Sequence, residues 1–387
     1  MRASKSRDRR RRRDQSRSRT RSRRREKKHK KDKLKSAPHI SWKQGMALGP
    51  SGRYVVERLM GDGTFGRVLE CTDSEGMEKV AVKVVKGVKR FCEHAEMEAE
   101  VLEEIQKADP TGKAHCVRML GSFMHAEQNF CIVFEPLGAS LRDFLKANDS
   151  RGFFVEDARQ MARQLLESLA FMHGIGLTHT DLKCRNVMLR DASFEMAAFP
   201  RAGEKGVNVR RPRDCRIAVI DFGGAVFPDE RHDGRVGTRQ FRGPEMVLGL
   251  PWDESSDMFS AGCIISMLYL GQRPISVHED QEHLAIMEKL CEHRLPTWML
   301  KKAAGSKKAP EGLSLTAEGL LNWPAGAPDL EAVERVNEVK PLREQILPRH
   351  GSFLDVLKGL FQFDPQQRLS AKAALNYSFF ADGVSAE

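Results

Sequence analysis

The sequence predicts an α+β fold in two parts, a β-rich N-lobe at about 54–137 and a helical C-lobe at about 138–383. Three observations lead there. Short β-branched and alternating runs cluster between Tyr54 and Glu135, interrupted by one long helical pattern. From Ala139 onward the periodicity is mostly helical. Strands gathered in one part and helices in the other separate into two layers of different make-up.

The elements follow in order. Tyr54–Met60, Val68–Cys71 and Lys79–Val85 read as strands. Phe91–Lys107 is rich in Glu, lacks Gly and Pro, and reads as a helix. Cys116–Met124 and Asn129–Glu135 are apolar runs of strand length. In Val155–His173, one helical face collects Ala158, Met161, Ala162, Leu165, Leu169 and Met172. Short strands are expected at Val187–Arg190 and Ile217–Ile220, and helices at Asp257–Leu270, Glu282–Glu292 and Gly351–Phe361. No pattern assigns a structure to Lys301–Pro328, which is rich in Gly, Ala and Lys.

Charge divides the 387 residues differently. The net +11 is the sum of a +16 tail at 1–35 and a body of −5. The tail holds 20 Lys or Arg, one Leu and no aromatic residue. It cannot bury enough surface to offset its ordering entropy, so disorder is expected there. Residues 36–53, with Pro38, Gly45, Gly49, Pro50 and Gly52, read as a linker. The body has ordinary globular composition, which excludes a disordered chain. Its longest uncharged apolar run, Ala261–Leu270, is too short to span a membrane. The eight cysteines form no C-x-x-C pair, so a reduced protein with core thiols and no zinc site is expected.

Gly61-Asp62-Gly63-Thr64-Phe65-Gly66-Arg67-Val68 reads G-x-G-x-x-G-x-V. Glycines in this pattern can simply punctuate a hairpin. A dinucleotide fold would need a helix next, but a strand follows, so the segment is a β-turn-β cover. Glycine there lets backbone N–H groups approach phosphate oxygens. Lys83 closes Val80-Ala81-Val82-Lys83 seventeen residues after Gly66. Beside a phosphate loop it is a candidate ligand for the α- and β-phosphates. Such a lysine needs an acidic partner, and Glu98, midway along the Glu-rich helix, is the candidate. Glu96, Glu100 and Glu103 read as a solvated face.

The strongest signal is His179-Thr180-Asp181-Leu182-Lys183-Cys184-Arg185-Asn186, which matches H-x-D-x-K-x-x-N. Phosphoryl transfer to a hydroxyl needs a carboxylate that orients the nucleophile and takes its proton, and oxygen ligands for Mg²⁺. Asp181 suits the first role. Asn186 suits the second, with Asp221 of Asp221-Phe222-Gly223. Lys183 would neutralise charge on the γ-phosphate. Order and spacing together make these a phosphoryl-transfer set rather than scattered polar turns.

With these motifs, the chain from about Tyr54 to Phe380 resembles a eukaryotic protein kinase, which implies the two-lobed kinase fold with ATP and Mg²⁺ as cofactors. Gly243-Pro244-Glu245 stands where that family has A-P-E, and Asp257-Met258-Phe259-Ser260-Ala261-Gly262 where it has D-x-W-S-x-G. Arg368 occupies the position of the arginine that pairs with Glu245, and Arg242 resembles the arginine typical of the CMGC group. By the same resemblance adenine would lie between Ala81 and Met188 and bond the hinge Glu135–Leu137, with Phe134 as gatekeeper. Gly61, Gly63, Phe65, Gly66 and Val68 would cover the nucleotide.

Glu282-His283-Leu284-Ala285-Ile286-Met287-Glu288-Lys289 closely resembles the E-H-L-A-M-M-E-R signature of the LAMMER (CLK) dual-specificity kinases. His179-Thr180-Asp181, Phe91-Cys92-Glu93, the insert Asp191–Cys215 and the Arg/Ser-rich tail agree with that family. The resemblance implies Arg/Ser-rich splicing factors as substrates and a nuclear location. Thr180 stands where regulated kinases carry a phosphate-binding arginine. Gly224–Arg242 has Thr238 as its one hydroxyl side chain, and by resemblance this threonine would bond near Asp181 and Lys183. Activity without phosphorylation of that segment is therefore expected. The acids Asp229, Glu230 and Asp233 are candidates for holding basic peptides, or are ordinary surface charges. Alternatives are another CMGC kinase (SRPK- or DYRK-like), a pseudokinase scaffold, or an RNA binder acting through the tail, whose contacts would be non-specific. The missing segment tyrosine argues against the DYRK branch. Intact Lys83, Asp181 and Asp221 argue against the pseudokinase. The five Ser and Thr20 of the tail also make it a candidate self-substrate.

Overall fold

The computed structural model describes residues 38–201, 206–229 and 234–381. The tail 1–35 lies outside them. Two compact units emerge. One comprises residues up to Ala99 together with Met119–Pro136. The other comprises Glu100–Arg118 and the chain from Leu137 onward.

The first unit is built on six strands: β1 (Ala47–Leu48), β2 (Tyr54–Asp62), β3 (Gly66–Asp73), β4 (Glu78–Val85), β5 (Met119–His125) and β6 (Asn129–Phe134). They form one antiparallel sheet in the order β1-β2-β3-β4-β6-β5. Alternation along β2–β4 places Val56, Leu69, Cys71, Val80, Val82 and Val84 in one core cluster. The helix α1 (Lys89–Ala108) follows β4.

The linker expected at 36–53 is corrected over 38–53. Ala47 and Leu48 pair with Val55 and Tyr54, and Leu48 is completely buried. Ile40, Trp42 and Met46 pack against the same cluster. Apolar side chains scattered among glycines and two prolines show no period, so their burial left no pattern to read. The expected lobe boundary also shifts. The segment before β5 belongs with the second unit because Val117 N and Val219 N donate to Val219 O and His115 O, at 2.9 and 2.7 Å.

In the second unit α2 (Leu141–Ala147) precedes α3 (Val155–Gly174). The expected face of α3 is the buried one, from Ala158 to Met172. Two short pairs follow: β7 (Val187–Leu189) with β10 (Ile217–Val219), and β8 (Phe194–Ala198) with β9 (Asn208–Pro212). The β8–β9 hairpin is the insert. It is tied down by Phe154, Phe199 and Val209 and by a bidentate Arg211–Asp157 pair at 2.8 Å.

One-turn α4 (Pro244–Val247) leads to α5 (Ser255–Leu270), which is buried along almost its whole length. Such a helix carries apolar residues on every side and serves as a central post. Gly262 is required there, since a Cβ would press within about 3.1–3.4 Å of Leu360 and Phe361. Then come α6 (Asp280–Cys291), α7 (Thr297–Ala304), α8 (Leu330–Glu338), one-turn α9 (Leu342–Gln345), α10 (Gly351–Leu360) and one-turn α11 (Ala371–Ala374). The segment left without a structure, 301–328, begins inside α7. It then folds onto Gln281, whose side chain bonds Ser314 O and Asn322 O. All eight cysteines are free. Burial pushes the Cys71, Cys131 and Cys184 thiols up to about 12, so they are inert packing groups. No helix among the described residues is long and apolar enough to cross a membrane.

Candidate active site

In the first unit the glycine loop is the β2–β3 hairpin turn. Gly61 pairs with Val68, and Gly63 N donates to Gly66 O at 3.0 Å. Gly66 is fixed by close approach: a Cβ there would lie 2.5 Å from Val84 O. Phe65, at the tip, is 57% exposed and meets Phe91 edge-to-face. Lys83 Nζ reaches both Glu98 carboxylate oxygens, at 2.9 and 2.7 Å. Glu98 is buried, whereas Glu96, Glu100 and Glu103 are exposed. Ala81, on β4, pairs with Phe134 at the end of β6, and Glu135 follows. These are the candidate nucleotide residues that this unit carries. Leu137 and Met188 belong to the second unit, where Met188 lies on β7 opposite Ala218.

In the second unit the catalytic-loop residues converge. Asp257, buried at the start of α5, accepts the backbone N–H groups of His179 and Thr180 at 2.7 and 2.9 Å. It also bonds His173 Nε2 at 3.2 Å. This carboxylate shapes the loop, whose Thr180 takes φ 70°. A positive φ is costly for a β-branched residue and persists only where the surroundings impose it. Thr180 Oγ1 donates to Gly224 O at 2.8 Å, so the place of the missing arginine is used to hold the start of the activation segment.

Asp181 is the meeting point. Its Oδ1 accepts from Thr238 N and Thr238 Oγ1 at 2.8 and 2.7 Å, and its Oδ2 accepts from Lys183 Nζ. Lys183 also donates to Thr238 Oγ1 at 3.3 Å. The threonine expected near Asp181 and Lys183 bonds both. Asn186 donates through Nδ2 to Asp181 O at 2.9 Å and Asp221 Oδ2 at 3.2 Å. With its N–H groups so engaged, Oδ1 is its remaining ligand atom. One amide and one carboxylate oxygen side by side are the hard donor set that suits Mg²⁺, which completes its shell with waters and phosphate oxygens.

Structural anchors surround this centre. Glu245 and Arg368 form a bidentate pair at 2.8 and 2.8 Å, and both are buried. Arg242 binds Val236 O and Gly237 O. Burial, then the nearby charges of Arg239 and Arg235, hold its guanidinium below its ordinary value. Of the candidate substrate acids, Asp229 is exposed, and Glu230 and Asp233 lie outside the described residues.

Sequence reasoning missed two residues. Arg235 and Asp280 pair at 2.6 Å, and the expected helix began at Glu282, two residues late. The available signal was Glu279, an N-cap whose side chain accepts from Gln281 N and Glu282 N.

The site has the parts of a phosphotransferase, and the protein kinase domain family matches residues 54–380. The crystal structure of the PF14_0431 kinase domain superposes with a TM-score of 0.83 at 36% identity. The match covers 89% of this chain and 99% of that one. The protein is therefore a protein kinase, which uses ATP and a divalent metal.

Within that class it belongs to the LAMMER (CLK/AFC) family. It is 38% identical to serine/threonine-protein kinase AFC2 of Arabidopsis thaliana, over 89% of this chain and 80% of that protein. It is 36% identical to dual specificity protein kinase CLK1 of Homo sapiens, over 88% and 68%.

Proposed function

We propose that the protein transfers the γ-phosphate of ATP, with Mg²⁺, to Ser and Thr hydroxyls of Arg/Ser-rich splicing factors, and to Tyr by autophosphorylation. The observation that carries this reading is the convergence of Lys183, Thr238 and Asn186 on Asp181. Asp181 takes the hydroxyl proton as the oxygen attacks phosphorus, and Thr238 fixes the direction of its carboxylate. Lys183 offsets charge on the γ-phosphate. Asn186 and Asp221 would hold the metal, which when bound neutralises charge on the phosphates. Lys83, aligned by Glu98, binds the α- and β-phosphates, and the backbone N–H groups of the glycine loop add to that hold.

The substrate class is supported by the relatives' family and by a body of net −5. We place the protein in the nucleus, regulating pre-mRNA splicing. The +16 tail serves as address, self-substrate and non-specific RNA contact. ATP consumption with an Arg/Ser peptide, wild type against Asp181→Asn, tests the reading. Loss of a positioned base predicts roughly a 10²–10⁴-fold fall in kcat. Equal rates would overturn it.

A further inference from the structure

Among the described residues, Asp280 is a carboxylate that faces two activation-segment arginines. Its Oδ2 bonds Arg235 Nη1 at 2.6 Å and its Oδ1 faces Arg239 Nη1 at 3.4 Å. These arginines flank Thr238, which holds Asp181. The carboxylate is about nine-tenths buried. It sits in the first turn of α6, where aligned peptide dipoles favour negative charge, and the Glu279 cap fixes that turn. Arg239 also donates to His278 O at 3.1 Å.

In a phosphorylation-dependent kinase, a phosphate on the segment would pair with an arginine on the body. Here both ends of that arrangement are missing. Thr180 replaces the arginine, and Thr238, the one hydroxyl side chain of Gly224–Arg242, is already bonded to Asp181. The charges are reversed instead, with guanidinium groups on the segment and the anion on the body.

We propose that Asp280 is a positioning residue that takes the place of a regulatory phosphate, clamping Arg235 and Arg239 so that Thr238 stays on Asp181. This inference rests on the protein-kinase reading. Gly237 supports the geometry. Its φ of 70° and its approach to Thr180 O, where a Cβ would lie at 2.4 Å, allow the segment one close path between the two arginines. Trp252 Nε1 bonds Gly234 O at 3.0 Å and marks the upstream limit of the held stretch.

The test compares Asp280→Asn, Asp280→Glu and Arg235→Gln in the full chain, with hydrogen exchange over 234–241 read beside steady-state kinetics. Asp280→Asn is expected to lower kcat about 5- to 20-fold with KM for ATP unchanged, and to speed exchange over 234–241. Glu should restore most of both. Arg235→Gln added to Asp280→Asn should cost less than it does alone. Asp280→Asn with wild-type kcat and exchange, or equal losses in the Asn and Glu variants, would overturn the proposal. The exchange arm does not need activity, so a wild type without phosphotransfer would refute the kinase reading and leave the clamp to be judged by exchange.

Discussion

Lys83 in the first unit and Asp181 in the second are both charged candidate site residues, but they are held differently. Lys83 meets both carboxylate oxygens of the buried Glu98 on α1, and its side chain is 25% exposed. Asp181 receives donors from the catalytic loop and the activation segment, and the segment is itself bound through Thr180, Asp280 and Trp252. An ion pair aligns one side chain. A network fixes a whole backbone path, and its members support one another in a poorly solvated setting. Lys83 is thus aligned by a buried carboxylate on a helix, while the Asp181 carboxylate depends on how the segment is anchored.

The largest break expected in that network is structural. Arg368→Leu leaves Glu245 buried without its partner and should cost about 3–5 kcal/mol in urea unfolding. Replacing Glu245 by Leu as well should recover much of it. A single-mutant cost under ~1 kcal/mol would contradict this account.

The corresponding break in the first unit is smaller. Glu98→Gln removes a charge-assisted bond of about 1.5–3 kcal/mol. It should lower kcat/KM for ATP roughly 10- to 100-fold, with Tm little changed. A change confined to peptide KM would show that Glu98 does not align Lys83.

The third effect sharpens the comparison from beneath the segment. His283 of the family signature is completely buried on α6, and neither ring nitrogen has a partner. Burial, and then Arg239 and Arg242, lower its pKa from 6.5 to about 3. The folded state keeps the ring neutral while the unfolded chain takes up a proton below about pH 6.5. Its contribution is thus complete above pH 6.5 and is lost as pH falls toward 3, at about 1.4 kcal/mol per pH unit, or ~2 kcal/mol by pH 5. His283→Leu should lose less stability than wild type between pH 6.5 and 5. Parallel losses would reject the assignment.

Both halves were legible in the sequence to different depths. The glycine loop, Lys83, Glu98, the catalytic loop and Asp221 were readable because spacing and residue type carry their chemistry, whereas Thr238, Glu245, Asp257 and Arg368 were readable only through the family resemblance. Strand alternation and the face of α3 were readable from their periods. Asp280 and Arg235 were not, since a largely buried ion pair 45 residues apart has no periodic signature. Burial of Ile40, Trp42 and Met46 and the fold of 301–328 were hidden likewise, because irregular segments are fixed by tertiary contacts rather than by a local period.

The central claim is that this kinase holds its activation segment by fixed charges and Thr238 rather than by phosphate. Activity on an Arg/Ser peptide before and after exhaustive phosphatase treatment tests it most directly. An unchanged kcat is expected, with no phosphate left within Gly224–Arg242. A large loss that returns when phosphate is restored at Thr238 would contradict it.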